Sequence, residues 1–189
     1  MLRKLSFSTF LLLVAALSHA QLSLPVLPSP EFNSALEKIV VDFRYNFKNI
    51  IGDTINTQGE VETYSSKVTL PGTYNCTINK YHSAKDTTAS WQAIVYKGDD
   101  YKEAVKAYRR AFNMVNKSRM QLIDLSAVGF KGTMEQPSEA LKFTVSTLQL
   151  NSDDIRYKRF TAEVELLANY TDWQVNINLS NKKPDAEKE

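Results

Sequence analysis

Cysteine is nearly absent from this chain, with Cys76 the only one in 189 residues. A single thiol cannot close an internal disulfide, so stability has to come from packing. Histidine is almost as scarce, with His19 and His82 alone. A zinc site needs three or four Cys, His or carboxylate ligands, and this supply makes one remote. The six glycines are scattered at turns and build no phosphate-cradling loop. After Leu17 there is no long apolar run, so no transmembrane helix is expected beyond that point.

The one long apolar run, Phe10 to Leu17, follows Arg3 and Lys4 and precedes the small-residue series Ser18-His19-Ala20. That order of charge, apolar core and small residues reads as a secretory signal over 1–20, with cleavage expected between Ala20 and Gln21. No Cys directly follows, so lipid anchoring is not expected. Removing the signal takes Arg3 and Lys4, and Lys plus Arg falls from 23 to 21, equal to the 21 Asp plus Glu. A chain with no net charge lacks the field that steers nucleic acid or anionic membranes. The expected compartment is outside the cytoplasm, periplasmic or extracellular. The Ala-Gln junction and the lack of disulfides favour a bacterial envelope.

The best-specified stretch is Trp91 to Ser118. An apolar run, a Lys-Gly-Asp-Asp turn and a helical period follow one another. Asp100 is placed to cap a helix over 100–117, and Glu103, three residues on, completes the pattern of a capping box. Tyr101, Ala104, Val105, Tyr108, Ala111, Phe112 and Val115 recur at three- and four-residue steps as one apolar face.

Taken in order, residues 21–29 read as an extended, proline-containing leader. Ser29-Pro30-Glu31 opens a first helix, expected over about 30–51. Its apolar stripe is Phe32, Leu36, Ile39, Val40, Phe43, Phe47 and Ile50, with Gly52 as the C-terminal cap. Residues 53–60 are expected to be a loop. Strands are expected near 61–70, 73–82 and 89–97, with Tyr74, Cys76 and Ile78 on a buried face and Asn75, Thr77 and Asn79 on a wet one. After the second helix, 120–130 is a weak strand candidate and 131–139 a loop. In 140–150, Leu141, Phe143 and Val145 share one side. Strands at 159–168 and 172–180 meet at an Asn169-Tyr170-Thr171 hairpin turn, with Ala162, Val164, Leu166, Trp173, Val175, Ile177 and Leu179 facing inward. The charged residues 181–189 form an expected flexible tail.

The expected architecture is a single α+β domain over 30–180. It is a two-layer sandwich in the order α-βββ-α-ββββ, with two amphipathic helices on one face of a mostly antiparallel sheet. Both halves begin with a helix followed by strands, which suggests an internal repeat.

Candidate chemistry is thin. Cys76 and His82 are the one thiol–imidazole pair, but six strand residues separate them by roughly 20 Å, beyond hydrogen-bond reach for a dyad. Asp99-Asp100 and Asp153-Asp154 are acidic pairs without the alternating ligand series of a calcium loop. Capping and turn formation explain them. Glu163 and Glu165 share a strand face, as a carboxylate-pair hydrolase would require, yet lie among polar neighbours typical of a solvated sheet. Lys102, Lys106, Arg109, Arg110 and Lys117 form the wet side of a helix, with no interleaved aromatics, and no nucleic-acid surface is expected. Sequons occur at Asn75, Asn116, Asn169 and Asn178, those at Asn116 and Asn169 being placed for accessibility.

The reading that remains is an exported, non-enzymatic binding module of the cell envelope with no cofactor and no metal. Its contact face is expected at Thr161, Glu163, Glu165, Gln174, Asn176 and Asn178, toward an unidentified protein. The alternative is a carrier for a small apolar ligand. Its cavity would lie between helices and sheet, walled by Phe43, Phe47, Tyr108, Phe112 and Trp91 or Trp173. Ordinary core packing is the simpler use of those aromatics.

Overall fold

The computed structural model describes residues 27–83 and 88–181. The expected signal at 1–20, the leader up to residue 26, residues 84–87 of the expected turn at 83–88 and the tail from 182 lie outside the described residues.

Helix α1 (Pro30–Phe43) starts where the sequence indicates. Ser29 Oγ accepts from the Phe32 amide at 3.2 Å, and Pro30 and Glu31 occupy the first turn. It ends eight residues earlier than its apolar stripe suggests. Asp42, buried in the helix's last turn, accepts from the backbone amides of Asn49 at 3.0 Å and Ile50 at 3.3 Å, and from Asn49 Nδ2 at 2.5 Å. Its carboxylate pulls the chain into an irregular turn over 44–50 in which Asn46 and Phe47 take φ of 56° and 58°. Phe47 and Ile50 are buried as expected, but from a loop rather than a helix.

Strand β1 (Ile51–Gln58) follows directly, where a cap and loop were expected. Gly52 is part of this strand and needs to lack a side chain. A Cβ there would sit 2.3 Å from Ser65 Oγ on the neighbouring strand. Strand β2 (Val61–Ser66), β3 (Asn75–Tyr81) and β4 (Ala89–Gly98) complete a meander. Pro71-Gly72, with Gly72 at φ 80°, makes the bend before β3, as a turn with proline then glycine at its centre requires. Cys76 and Ile78 are buried on one face as expected, but Tyr74 lies before the strand and is 72% exposed.

Helix α2 (Tyr101–Lys117) spans the expected residues. Asp100 Oδ1 accepts from the amides of Lys102 at 2.7 Å and Glu103 at 3.2 Å. Only half of the capping box forms, because Glu103 turns to Lys106 Nζ at 2.8 Å. Asp100→Ala is expected to cost about 1 kcal/mol, the usual effect of losing an N-cap. Thermal unfolding with Asn at the same position, which retains the cap, is the control.

The weak strand candidate at 120–130 resolves into a two-stranded ribbon, β5 (Met120–Gln121) and β6 (Ala127–Val128), and a short edge strand β7 (Phe130–Gly132). Strands β8 (Phe143–Leu150), β9 (Phe160–Asn169) and β10 (Asp172–Asn181) follow. In β8 the inward face is Thr144, Ser146, Leu148 and Leu150, while Phe143 and Val145 share the other side and Leu141 and Phe143 are exposed. The two inward hydroxyls differ, since Thr144 Oγ1 is buried without a hydrogen-bond partner among the described residues and Ser146 is bonded. The Ser146 hydroxyl hydrogen-bonds the Tyr108 hydroxyl on α2 and accepts from the Glu135 amide at 2.8 Å.

Every pairing is antiparallel, and the strands line up as β1-β2-β3-β4-β10-β9-β8-β7. The fold is α+β, with both helices on one face of an eight-stranded sheet. Each half supplies a helix and four consecutive strands, and the halves meet where β4 pairs with β10. The suspected repeat is thus visible as architecture, with the β5–β6 ribbon inserted in the second half. The core lies between helices and sheet. Ile78, Trp91, Leu179, Ala162 and Leu148 face it in one register row. Strand alternation sends the residues between them to the opposite face.

Candidate functional site: the uncovered face of the sheet

With both helices on one side, the other face of the sheet carries no helix among the described residues. Its polar character follows from alternation. Thr77 lies between the buried Cys76 and Ile78, Gln92 between Trp91 and Ala93, Glu163 between Ala162 and Val164, and Asn178 between Ile177 and Leu179. Strand register then joins them. Ser65 pairs with Thr77, Thr77 with Gln92, Gln92 with Asn178, Asn178 with Glu163 and Glu163 with Thr147. This is one row of six polar residues crossing six strands. At about 4.8 Å per strand it spans roughly 24 Å.

The row is internally bonded. Gln92 Nε2 donates to Asn178 Oδ1 at 2.8 Å, which ties the two halves of the molecule at their junction. Beside it, Gln174 Nε2 donates to Asn176 Oδ1 at 2.8 Å, and Asn176 Nδ2 to Glu165 Oε2 at 3.4 Å. On the other flank Thr63 Oγ1 donates to Asn79 Oδ1 at 2.9 Å. A cleft of about 510 Å³ opens on this face, with Asn79, Tyr81, Gln92, Glu163, Asn178 and Ser180 among its lining.

All six residues expected from sequence lie on this face, but not in equal standing. Glu163, Glu165, Gln174 and Asn178 are half-buried and reachable. Thr161 and Asn176 are only 1% and 4% exposed. They support the face from within, so direct contact belongs to the other four. The sequence reading missed Thr63, Ser65, Thr77, Asn79, Gln92 and Thr147. The wet alternation of Asn75, Thr77 and Asn79 was legible, but joining it to β9 and β10 needed the strand order.

The other candidates are held apart. Cys76 is buried and hydrogen-bonds Thr73 Oγ1 at 3.3 Å, and burial pushes its thiol pKa up, which leaves it an inert thiol at neutral pH. His82 lies just past β3 and meets Glu62 Oε2 at 3.0 Å. The same oxygen accepts from the Tyr64 hydroxyl at 2.5 Å. That hydrogen bond, with His82 second, holds the Glu62 carboxyl below its ordinary range and raises the Tyr64 phenol. This trio lies on the face opposite the polar row.

Asp100 caps α2. Asp154 bonds Arg156 at 2.6 Å, and that contact holds its carboxyl down at about 2. Asp100 and Asp154 thus each have a local structural role. Among the described residues no three His, Cys, Asp or Glu side chains assemble as a metal-binding group. No helix among them is long and apolar enough to cross a membrane. Of the sequons, Asn75 opens β3 exposed and Asn169 is exposed beside the hairpin turn. Asn116 and Asn178 are half-buried.

The aromatics expected to wall a cavity are packed instead. Phe47, Tyr108, Phe112, Trp91 and Trp173 are core residues. The partly buried Phe43 stacks on Phe160 with ring centroids 4.1 Å apart, and Trp173 on Tyr101 at 4.8 Å. Compared with known proteins, the chain matches no protein family, no curated protein and no solved structure.

Proposed function

We propose that this chain is an exported, non-enzymatic binding module of the cell envelope, engaging a protein partner through the uncovered sheet face. The observation that carries this reading is the cross-sheet row Ser65–Thr77–Gln92–Asn178–Glu163–Thr147. Its side chains stand on rigid strands, and the central ones are fixed by cross-strand hydrogen bonds. Ordered side chains lose little further entropy when a partner docks. Amides and carboxylates at fixed spacing give a hydrogen-bonding pattern that selects among partners. A binding role is favoured over a catalytic one because the one thiol is buried against Thr73 and the imidazole is engaged by Glu62 on the opposite face. The signal-like first twenty residues support export.

The test is recovery of a partner from an envelope extract on immobilised protein. The triple variant Gln92→Ala, Glu163→Ala, Asn178→Ala is expected to lower recovery by about tenfold or more, equivalent to about 1.4 kcal/mol. Lys102→Ala with Arg109→Ala, on the exposed side of α2, is expected to leave it unchanged. Equal recovery with the triple variant would refute the assignment of this face.

A further inference from the structure

A groove of about 590 Å³ runs along α2 on the helix side of the sheet, remote from the polar row. Its floor is apolar: Phe32 from α1, Val95 from β4, Ile177 from β10, and Ala107, Ala111 and Met114 from one side of α2. The rigid Pro71-Gly72 turn closes one wall. Ala107 and Ala111 are what keep the space open, since a larger side chain at either would fill it. Met114 adds an adaptable thioether. The volume falls within the range of small-molecule sites, about 300–1,000 Å³.

The rim is charged on the α2 side, by Glu103, Lys106 and Arg110. Glu103 and Lys106 satisfy one another at 2.8 Å. Arg110 makes no hydrogen bond or ion pair among the described residues. The lining therefore presents one uncompensated guanidinium above an apolar trough. A guanidinium fork matches a carboxylate in geometry as well as charge.

We infer that this groove binds a single-chain amphiphile with an anionic carboxylate head, its alkyl chain along the partly buried Val95, Ala107 and Met114 and its head at Arg110. This gives the molecule a ligand site separate from the sheet face. It relocates the carrier function suggested by the aromatic content, because none of the expected aromatic wall lines the groove.

The test is calorimetric titration of the purified protein with dodecanoate, dodecanol and dodecyltrimethylammonium, each below its micellar concentration. Dodecanoate is expected to bind saturably with one site, and dodecyltrimethylammonium more weakly. Arg110→Glu, an exposed substitution, is expected to weaken dodecanoate by about tenfold and leave dodecanol unchanged. Ala107→Phe, whose ring would project into the groove, is expected to abolish binding of both, with the melting temperature showing that the fold is retained. Three outcomes would overturn the inference: no saturable dodecanoate binding, binding that survives Ala107→Phe, or a cationic amphiphile binding as tightly as the carboxylate.

Discussion

Trp91→Ala is expected to destabilise the protein by about 3–5 kcal/mol, the range for removing a buried tryptophan from a core. Trp91 is fully buried on β4 and pairs in register with Ile78 on one side and Leu179 on the other. It therefore sits close to the junction where the two halves of the sheet join. Its indole Nε1 donates to Ser66 Oγ at 2.9 Å, so truncation removes a hydrogen bond as well as volume. Total stabilities are about 5–15 kcal/mol, so this single change takes a large share. Trp91→Phe loses the bond and part of the ring volume, and is expected to cost less than Trp91→Ala, about 2 kcal/mol. Urea unfolding of the three proteins checks the order. Equal midpoints for Trp91→Ala and wild type would show that the two halves do not depend on this packing.

Asp42→Ala is expected to cost about 3 kcal/mol. A hydrogen bond to a charged group contributes about 1.5–3 kcal/mol, and Asp42 accepts from Asn49 N, Asn49 Nδ2 and Ile50 N. The sum is less than additive because the three act as one cluster. The substitution removes the acceptor of the Asn49 amide, leaves the Ile50 amide with only the Phe47 carbonyl at 3.3 Å, and releases the turn in which Asn46 and Phe47 hold positive φ. That turn delivers the chain into β1, an edge strand paired only with β2. Hydrogen exchange should therefore accelerate first in 44–58 and leave β9 and β10 protected. Uniform acceleration would contradict the local role given to Asp42.

Those two residues also show why some of the fold was legible in the sequence and some was not. The N-caps Ser29 and Asp100, the apolar period of α2 and the alternation of β9 and β10 are local patterns, and local patterns survive into the structure. Asp42 reads as one more polar residue beside the apolar stripe of a continuous helix. Its effect depends on burial and on Asn49 and Ile50, which are tertiary facts, so the local pattern alone points to a helix up to about 51 and a loop over 53–60. In β8 the alternation places Phe143 and Val145 on one side, but it does not say which side is inward, and Thr144 and Ser146 look unsuited to a core. Ser146 is suited once Tyr108 and the Glu135 amide are beside it.

The candidate site divides the same way. Glu163, Glu165, Gln174 and Asn178 were found from alternation on two adjacent strands. Gln92, Thr77 and Ser65 join them only through the β4–β10 pairing, between residues 86 apart in the chain in the case of Gln92 and Asn178. Periodicity assigns a residue to a face of its own strand and carries no information about which strand lies beside it.

The central claim is that the uncovered face of the sheet is where this protein meets its partner. Photo-crosslinking from single sites tests it most directly, with the probe placed in turn at Gln92 and Thr147 on that face, and at Lys102 and Arg109 on the exposed side of α2. The account predicts one discrete crosslinked species from Gln92 and Thr147 and none from the two helix sites. A discrete species from Lys102 or Arg109, with none from the sheet positions, would contradict it.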